Sequence, residues 1–230
     1  MSNAQTCTRE AFLQRAGLGL AATALGAGPA NAPPMAPTSA AEALKWLKEG
    51  NARFVSGNQH FEPQNARVLE LAEGQSPYAI VLGCSDSRVP VETIFDEDPG
   101  HIFVVRVAGN FLNADNLGSI EYGVAVLKSK LILVLGHSKC GAVAAAVSYV
   151  KEGTTQPGHI QNLVTAIQPA AKAARDMSGD WLSNAVNENM RRNVHAMTAD
   201  SKIIADAVEA HRVEVIGGIY DIHTGLVHFY

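Results

Sequence analysis

The chain has 230 residues, of which 47% are apolar and 17% are charged, and its formal net charge is −4. This composition excludes a disordered chain, and the length is sufficient for one α/β domain with a full core. The basic residues are scattered and the aromatic residues are few, so a nucleic-acid partner is not expected. Three cysteines are too few for a disulfide framework in a chain of this length.

Residues 1–32 have the pattern of an export signal. An apolar run of small residues spans 17–28, and the residues at 30–32 fit a small-x-small cleavage site. Residues 8–13 resemble a twin-arginine signal, except that Glu10 stands where the second arginine belongs. The apolar run is shorter than the ~20 residues that span a bilayer, so stable membrane insertion is not expected. The segment predicts a periplasmic or secreted protein; the alternative is a disordered alanine-rich tail on a cytoplasmic one.

A proline-rich linker at 33–38 separates this leader from a single domain at 39–230. The domain begins with a predicted helix at 39–57, the N-terminal helical arm. Ser39 is placed to cap this helix, with Glu42 three residues later completing a capping box. Its apolar residues fall on one side, so we expect the helix to pack against another element.

Strands and helices alternate along the rest of the chain. Continuous apolar runs, which are typical of strands buried on both faces, occur at Ala79–Leu82, Ile102–Val107, Leu131–Leu135 and Val213–Ile219. Helical patterns occur at 115–128, 140–151, 160–174 and 181–210, the last with a break near 198–200. This order predicts an α/β fold with a mostly parallel sheet flanked by helices. The tail at 222–230, with a turn at Thr224–Gly225, is predicted to add an edge strand.

Two short segments, 84–88 and 137–140, contain the candidate metal-ligating and catalytic residues. Cys84 follows the first predicted strand, His137 follows the third, and Cys140 opens the next helix. Because ligands of open α/β sheets bind outside the carboxyl ends of the strands, we expect these three side chains to meet. Two thiolates and one imidazole are zinc ligands, and a set of three leaves the fourth position open, as catalytic zinc sites do. Oxidation to a Cys84–Cys140 disulfide is the alternative.

Asp86 and Arg88 decide what occupies that fourth position. Asp86, two residues from Cys84, could reach the metal and close the site. A bidentate pair with Arg88 would instead hold the carboxylate away from the metal and keep it ionised. Asp86 could then accept a hydrogen bond from a zinc-bound hydroxide and orient it. A plain ion pair at the end of a strand remains a third interpretation.

The segments Gly83-Cys84-Ser85-Asp86-Ser87-Arg88-Val89-Pro90 and Gly136-His137-Ser138-Lys139-Cys140-Gly141-Ala142 resemble the two zinc segments of the β-class carbonic anhydrases. Between them, Asp98-Pro99-Gly100 and Arg106-Val107-Ala108-Gly109-Asn110 are similar to further motifs of that family, as is Ser119-Ile120-Glu121-Tyr122. The resemblance implies the reversible hydration of carbon dioxide to bicarbonate and a proton, with one zinc ion per subunit.

Roles for individual residues follow from the same resemblance. It implies zinc ligation by Cys84, His137 and Cys140 and a catalytic dyad of Asp86 and Arg88. Three residues match the family's substrate pocket: Gln75, which would donate a hydrogen bond to bicarbonate, and Phe103 and Tyr122, which would form an aromatic wall. That pocket forms between subunits, so a dimer or tetramer is implied.

The chain departs from the family at a few positions. Val107 stands where asparagine is common, and Val81 stands where members inhibited by bicarbonate carry tryptophan, although Arg106 and Tyr220 match other parts of that inhibitory site. An always-open site, with water on zinc, is therefore favoured. Two other functions remain open: a related zinc hydrolase of carbon disulfide or carbonyl sulfide, and a non-catalytic zinc or bicarbonate sensor. A nucleotide-binding Rossmann domain is disfavoured because no Gly-x-Gly-x-x-Gly follows the first strand.

Overall fold

A five-stranded sheet lies at the centre of the computed structural model, which describes residues 36–60, 68 and 71–230. The strands are β1 (Ala79–Gly83), β2 (Ile102–Arg106), β3 (Leu131–His137), β4 (Glu214–Tyr220) and β5 (Val227–Phe229). Their order is β2-β1-β3-β4-β5. All neighbouring pairs are parallel except β4 with β5. The mostly parallel sheet and its C-terminal edge strand are thus confirmed, and the leader at 1–32 lies outside the described residues.

Seven helices accompany the sheet within the described part of the chain. They are α1 (Ala40–Ser56), α2 (Val91–Ile94), α3 (Ala114–Ala125), α4 (Gly141–Glu152), α5 (Ile160–Ala173), α6 (Trp181–Ala199) and α7 (Lys202–Glu209). The break predicted near 198–200 separates α6 from α7, because the Ser201 hydroxyl caps α7 by accepting from the N–H of Ile204. The short helix α2 was not predicted, since a single turn leaves no periodic pattern. None of these helices is long and apolar enough to cross a membrane.

The two faces of the sheet are covered by different helices. On β1, Ile80 and Leu82 belong to the core on the face covered by the later helices, whereas Ala79 and Val81 belong to the core beneath α1. Every residue of β1 and β3 is buried. Burial on both faces explains why these strands have continuous apolar runs rather than alternating patterns.

Helix α1 begins as predicted, but its cap differs from a capping box. The Ser39 hydroxyl accepts from the N–H of Glu42 at 3.2 Å, which is the first half of the motif. The Glu42 carboxylate accepts from the backbone N–H and the hydroxyl of Thr38, at 2.8 and 2.7 Å, instead of from Ser39. The second half of the prediction was therefore wrong, because Thr38 offers this carboxylate two donors at once.

Helix α1 is also hydrogen-bonded to the C-terminal hairpin and to α2 through Asn51. The Asn51 amide donates to the carbonyls of Ile94 and Gly225, at 3.2 and 2.8 Å, and its carbonyl accepts from Val227 N–H at 2.9 Å. These bonds satisfy a buried polar side chain, as burial requires. They also hold in place the turn between β4 and β5, which lies at the carboxyl end of β4.

Candidate metal centre

The carboxyl ends of β1 and β3 bring three ligand side chains together. Cys84 follows β1, His137 is the last residue of β3, and Cys140 is the N-cap of α4. All three are buried, and their ligand atoms lie within 4.8 Å of one another. Ligand atoms of a tetrahedral zinc site are about 3.5–3.8 Å apart, given Zn–S and Zn–N distances of about 2.3 and 2.0 Å. The group is therefore close to the size that zinc requires.

His137 presents a free lone pair to this group. Its Nδ1 lies 2.9 Å from the carbonyl oxygen of Ser138. A carbonyl only accepts, so Nδ1 carries the proton and Nε2 of the neutral ring carries the lone pair. Nε2 is buried without a hydrogen-bond partner. A buried unpartnered acceptor beside two sulfur atoms fits a metal ligand, since such a group is otherwise costly.

Cys84 is placed to carry negative charge. Its Sγ accepts from the N–H of Gly109 at 3.2 Å and from that of Asp86 at 3.4 Å. A hydrogen bond from Cys140 lowers the pKa of Cys84 well below its usual range, against the opposing effect of burial. The same bond and burial raise the pKa of Cys140. A bound metal would hold both sulfur atoms as thiolates, because metal-ligating thiols are deprotonated.

The Asp86 carboxylate is held by Arg88 on both oxygens. Oδ1 accepts from the backbone N–H and Nε of Arg88, both at 2.9 Å, and Oδ2 accepts from Nη2 at 2.7 Å. The hydrogen bond from the Arg88 side chain is the main reason that the pKa of Asp86 lies well below its usual range. Asp86 Oδ2 lies 3.9 Å from His137 Nε2, yet Asp86 is not part of the three-ligand group. In this arrangement the carboxylate borders the group without joining it.

Arg106, at the end of β2, also supports the centre. Its Nε donates to the carbonyl of Cys84 at 2.8 Å, and its Nη2 donates to the carbonyl of Asp86 at 2.6 Å. Sequence reasoning assigned Arg106 only to an inhibitory bicarbonate site and missed this contact. The parallel register, which pairs Gly83 with Arg106, is the signal that would have revealed it.

The three predicted pocket residues lie at the other end of the sheet. Phe103 pairs with Ile80 near the start of β1, and its ring centroid is 6.3 Å from that of Tyr122 on α3. Gln75 is exposed in the segment that precedes β1. Cys84 comes after the end of β1, level with Val107, and is therefore about 13 Å from Phe103 along the strand direction. A single chain thus brings the metal group and the dyad together, but not the pocket residues.

Comparison with known proteins agrees with this geometry. The family model described as carbonic anhydrase matches residues 79–227. Carbonic anhydrase 2 of Mycobacterium tuberculosis is 40% identical over 193 residues, which cover 82% of this chain and 91% of that protein.

Solved structures show the same fold. The structure of the β-carbonic anhydrase CcaA matches with a TM-score of 0.67 and 26% identity, over 82% of this chain and 88% of that one. One of two tetrameric β-carbonic anhydrases of Sordaria macrospora matches with a TM-score of 0.61 and 27% identity, over 82% of this chain and 96% of that one. The family match and the identity over most of the chain show that this protein belongs to the β-class carbonic anhydrases, a family of enzymes.

Proposed function

We propose that the protein is a zinc-dependent carbonic anhydrase, which converts carbon dioxide and water reversibly into bicarbonate and a proton. The observation that carries this proposal is the group of Cys84, His137 and Cys140, beside a carboxylate that Arg88 holds on both oxygens. Three ligands leave one coordination position for substrate. The likeness to Carbonic anhydrase 2 of M. tuberculosis supports the choice of reaction.

Each residue of the centre has a distinct part in this proposal. Cys84, His137 and Cys140 hold the metal. Zinc, when bound, lowers the pKa of water to about 7, a value characteristic of carbonic anhydrases in general, and so supplies a nucleophile at neutral pH. The N–H of Gly109 supports the charge on Cys84 Sγ. Arg106 fixes the main chain that connects Cys84 to Asp86.

Asp86 orients the attacking water. Because Arg88 keeps it ionised, its carboxylate only accepts hydrogen bonds. A water molecule that donates one hydrogen to Asp86 presents a lone pair to carbon dioxide. The new C–O bond then forms as one C=O bond of carbon dioxide opens, and one proton of the water leaves to solvent.

The substrate pocket requires a second copy of the chain. In the same chain, Phe103 is about 13 Å from the level of Cys84 along the strands, and Tyr122 lies beside Phe103. Tyr122 is 47% exposed, and β2 is an edge strand of the sheet, so this surface is available to another subunit. We propose a dimer, alone or within a tetramer, in which one chain supplies the metal and the dyad and the other supplies the pocket.

A permanently closed sensor would place Asp86 on the metal. The contacts of Arg88 with both carboxylate oxygens argue against that arrangement. No described contact favours a hydrolase of carbon disulfide or carbonyl sulfide, and a direct assay separates it from the proposed enzyme.

The test is a stopped-flow assay of carbon dioxide hydration by the zinc-loaded protein, with Asp86→Asn as the variant. We expect activity in the wild type and a fall of about 10²–10⁴-fold in the variant, because the water is no longer oriented by an anion. Asp206→Asn, at an exposed carboxylate paired with Lys202, is the matched control and should retain full activity. Undiminished turnover in Asp86→Asn with zinc still bound would refute the dyad's role. Hydrolysis of carbon disulfide or carbonyl sulfide without hydration would refute the proposed reaction.

We also propose that residues 1–32 direct export to the periplasm. The full chain, expressed in a bacterial host and fractionated, should appear in the periplasm with its N-terminus at Pro33. A chain that begins at residue 33 should stay in the cytoplasm. An unprocessed full chain in the cytoplasm would contradict the proposal.

A further inference from the structure

The residue next to His137 is held on several sides by the C-terminal turn. The Ser138 N–H donates to the carbonyl of Tyr220 at 2.9 Å, one residue beyond the pairing of His137 with Tyr220. Its hydroxyl donates to Asp221 Oδ1 at 3.2 Å and accepts from the N–H of Ile222 at 3.0 Å. Both the main chain and the side chain of Ser138 are therefore fixed by the residues at the end of β4 and beyond it.

Asp221 organises that turn. Its Oδ1 also accepts from the N–H of His223 at 2.9 Å, and its Oδ2 accepts from the Thr224 hydroxyl at 3.1 Å. Its own N–H donates to the carbonyl of Leu226, and its carbonyl accepts from the N–H of Gly225, both at 2.8 Å. The carboxylate is thus a fixed acceptor: Oδ1 accepts from Ser138 and from the turn, and Oδ2 accepts from the turn.

The carbonyl of Ser138 is the group that orients the imidazole of His137. A displacement of Ser138 would turn the ring, or release the proton from Nδ1, and so misdirect the lone pair on Nε2. The hydrogen-bond partner of a metal-ligating histidine typically changes metal affinity by about 10–100-fold when it is lost. The contacts from Asp221 to Ser138 and from Ser138 to His137 form one continuous chain.

We propose that Asp221 is a positioning residue for His137, that it acts through Ser138, and that it sets the zinc affinity of the centre. This inference rests on the proposed function only in taking the bound metal to be zinc. It assigns a role to the turn at 221–225, which neither the motif residues nor the dyad includes.

The experiment measures the zinc dissociation constant by competition with a fluorescent zinc chelator. The variants are Ser138→Ala, Asp221→Ala, which removes the acceptor of the Ser138 hydroxyl, and the double variant. We expect each single variant to bind zinc about tenfold more weakly. The double variant should be weakened by about the same factor, because both changes break the same chain of contacts and contacting residues are not additive.

Three further variants separate positioning from a general structural effect. Ser138→Thr keeps a hydroxyl and should keep wild-type zinc affinity. Thr224→Ala removes the hydroxyl that donates to Asp221 Oδ2, the oxygen that does not accept from Ser138, and should change zinc affinity less than Asp221→Ala does. Asp206→Asn removes an exposed carboxylate on α7 and should have no effect. Circular dichroism and thermal denaturation confirm that each variant is folded; if Ser138→Ala does not fold, Asp221→Ala alone, compared with Thr224→Ala, tests the inference.

Additive losses of about 100-fold in the double variant would show that Asp221 acts independently of Ser138 and would overturn the inference. Unchanged zinc affinity in folded Asp221→Ala would overturn it as well. Failure of the wild type itself to bind zinc would instead refute the proposed function, so the two failures are distinguishable.

Discussion

The proposed division of the site between two chains predicts that two inactive variants complement each other. Asp86→Asn damages the metal end of a chain, and Gln75→Ala damages the pocket end. Gln75 is exposed, so its replacement leaves the fold of its own chain intact. In a mixed dimer, one site combines both defects, whereas the other combines the intact metal end of one chain with the intact pocket of its partner.

The size of the recovery follows from this geometry. Phe103, which marks the proposed pocket end, is about 13 Å from the level of Cys84 along the strands, so in the proposed dimer the two halves of a site come from different chains. Random pairing of the two variants in a two-fold dimer makes about half of the dimers mixed. In each mixed dimer, about one of the two sites is intact. An equal mixture refolded together should therefore show about one quarter of the wild-type activity per chain. Mixed dimers purified with two different tags should show about one half.

The matched control mixes Asp86→Asn with Arg88→Ala. Both changes lie at the metal end, so every site in every mixed dimer contains a damaged metal end and no recovery is expected. Carbon dioxide hydration is measured by stopped flow before and after mixing. A Gln75→Ala mixture that remains at the activity of its parents would refute the shared site. Recovery in the control mixture would show that activity does not depend on which end of the chain is damaged.

Two other predictions concern stability. Arg88 lowers the pKa of Asp86, so the folded state is stabilised above the ordinary pKa of an aspartate and loses that stability as the pH falls. In zinc-free Arg88→Gln, the denaturation midpoint should therefore fall less between about pH 5 and pH 2 than it does in the wild type. Equal pH dependence of the two proteins would contradict the role of Arg88. A Cβ added at Gly50 on α1 would lie 1.7 Å from the backbone oxygen of Phe95, so Gly50→Ala should cost about 1–3 kcal/mol of unfolding free energy because the backbone cannot yield as a side chain does. Gly118→Ala, at an exposed helical glycine with nothing within 4 Å, should stabilise by up to about 1 kcal/mol in the same denaturation experiment, and equal effects of the two changes would contradict the packing argument.

Much of the fold could be predicted because its signals are local. Continuous apolar runs indicate buried parallel strands, and the positions of Cys84 and His137 at strand ends then require them to meet at one edge of the sheet. The break predicted near 198–200 lies directly before Ser201, whose hydroxyl caps α7. The ends of the strands were predicted less accurately. Strand β3 continues to His137, two residues beyond its predicted end, because Tyr220 on β4 provides a pairing partner.

The contacts that support the metal centre could not be predicted from local patterns. The bonds of Arg106 to the carbonyls of Cys84 and Asp86 join residues 22 and 20 positions apart in sequence, and they depend on the register of β1 with β2. The N–H of Gly109 reaches Cys84 for the same reason. The separation of Phe103 from Cys84 also follows from register, so the sequence resemblance placed both in one pocket without showing that they belong to different ends of a chain.

Asp86 is bound through every polar part of the residue. Its N–H donates to Cys84 Sγ, its carbonyl accepts from Arg106, and its carboxylate accepts from Arg88. Only the contact with Arg88 involves the side chain of Asp86. If the carboxylate moved towards the metal, it would lose its contacts with Arg88, but the main chain of Asp86 could stay in place. Removal of Arg88 should therefore close the site by a side-chain rotation alone. Removal of Arg106 would instead release the main chain that also carries Cys84, and would weaken metal binding without closing the site. The two arginines thus stabilise the same aspartate in ways that zinc affinity and crystal structures of the two variants can tell apart.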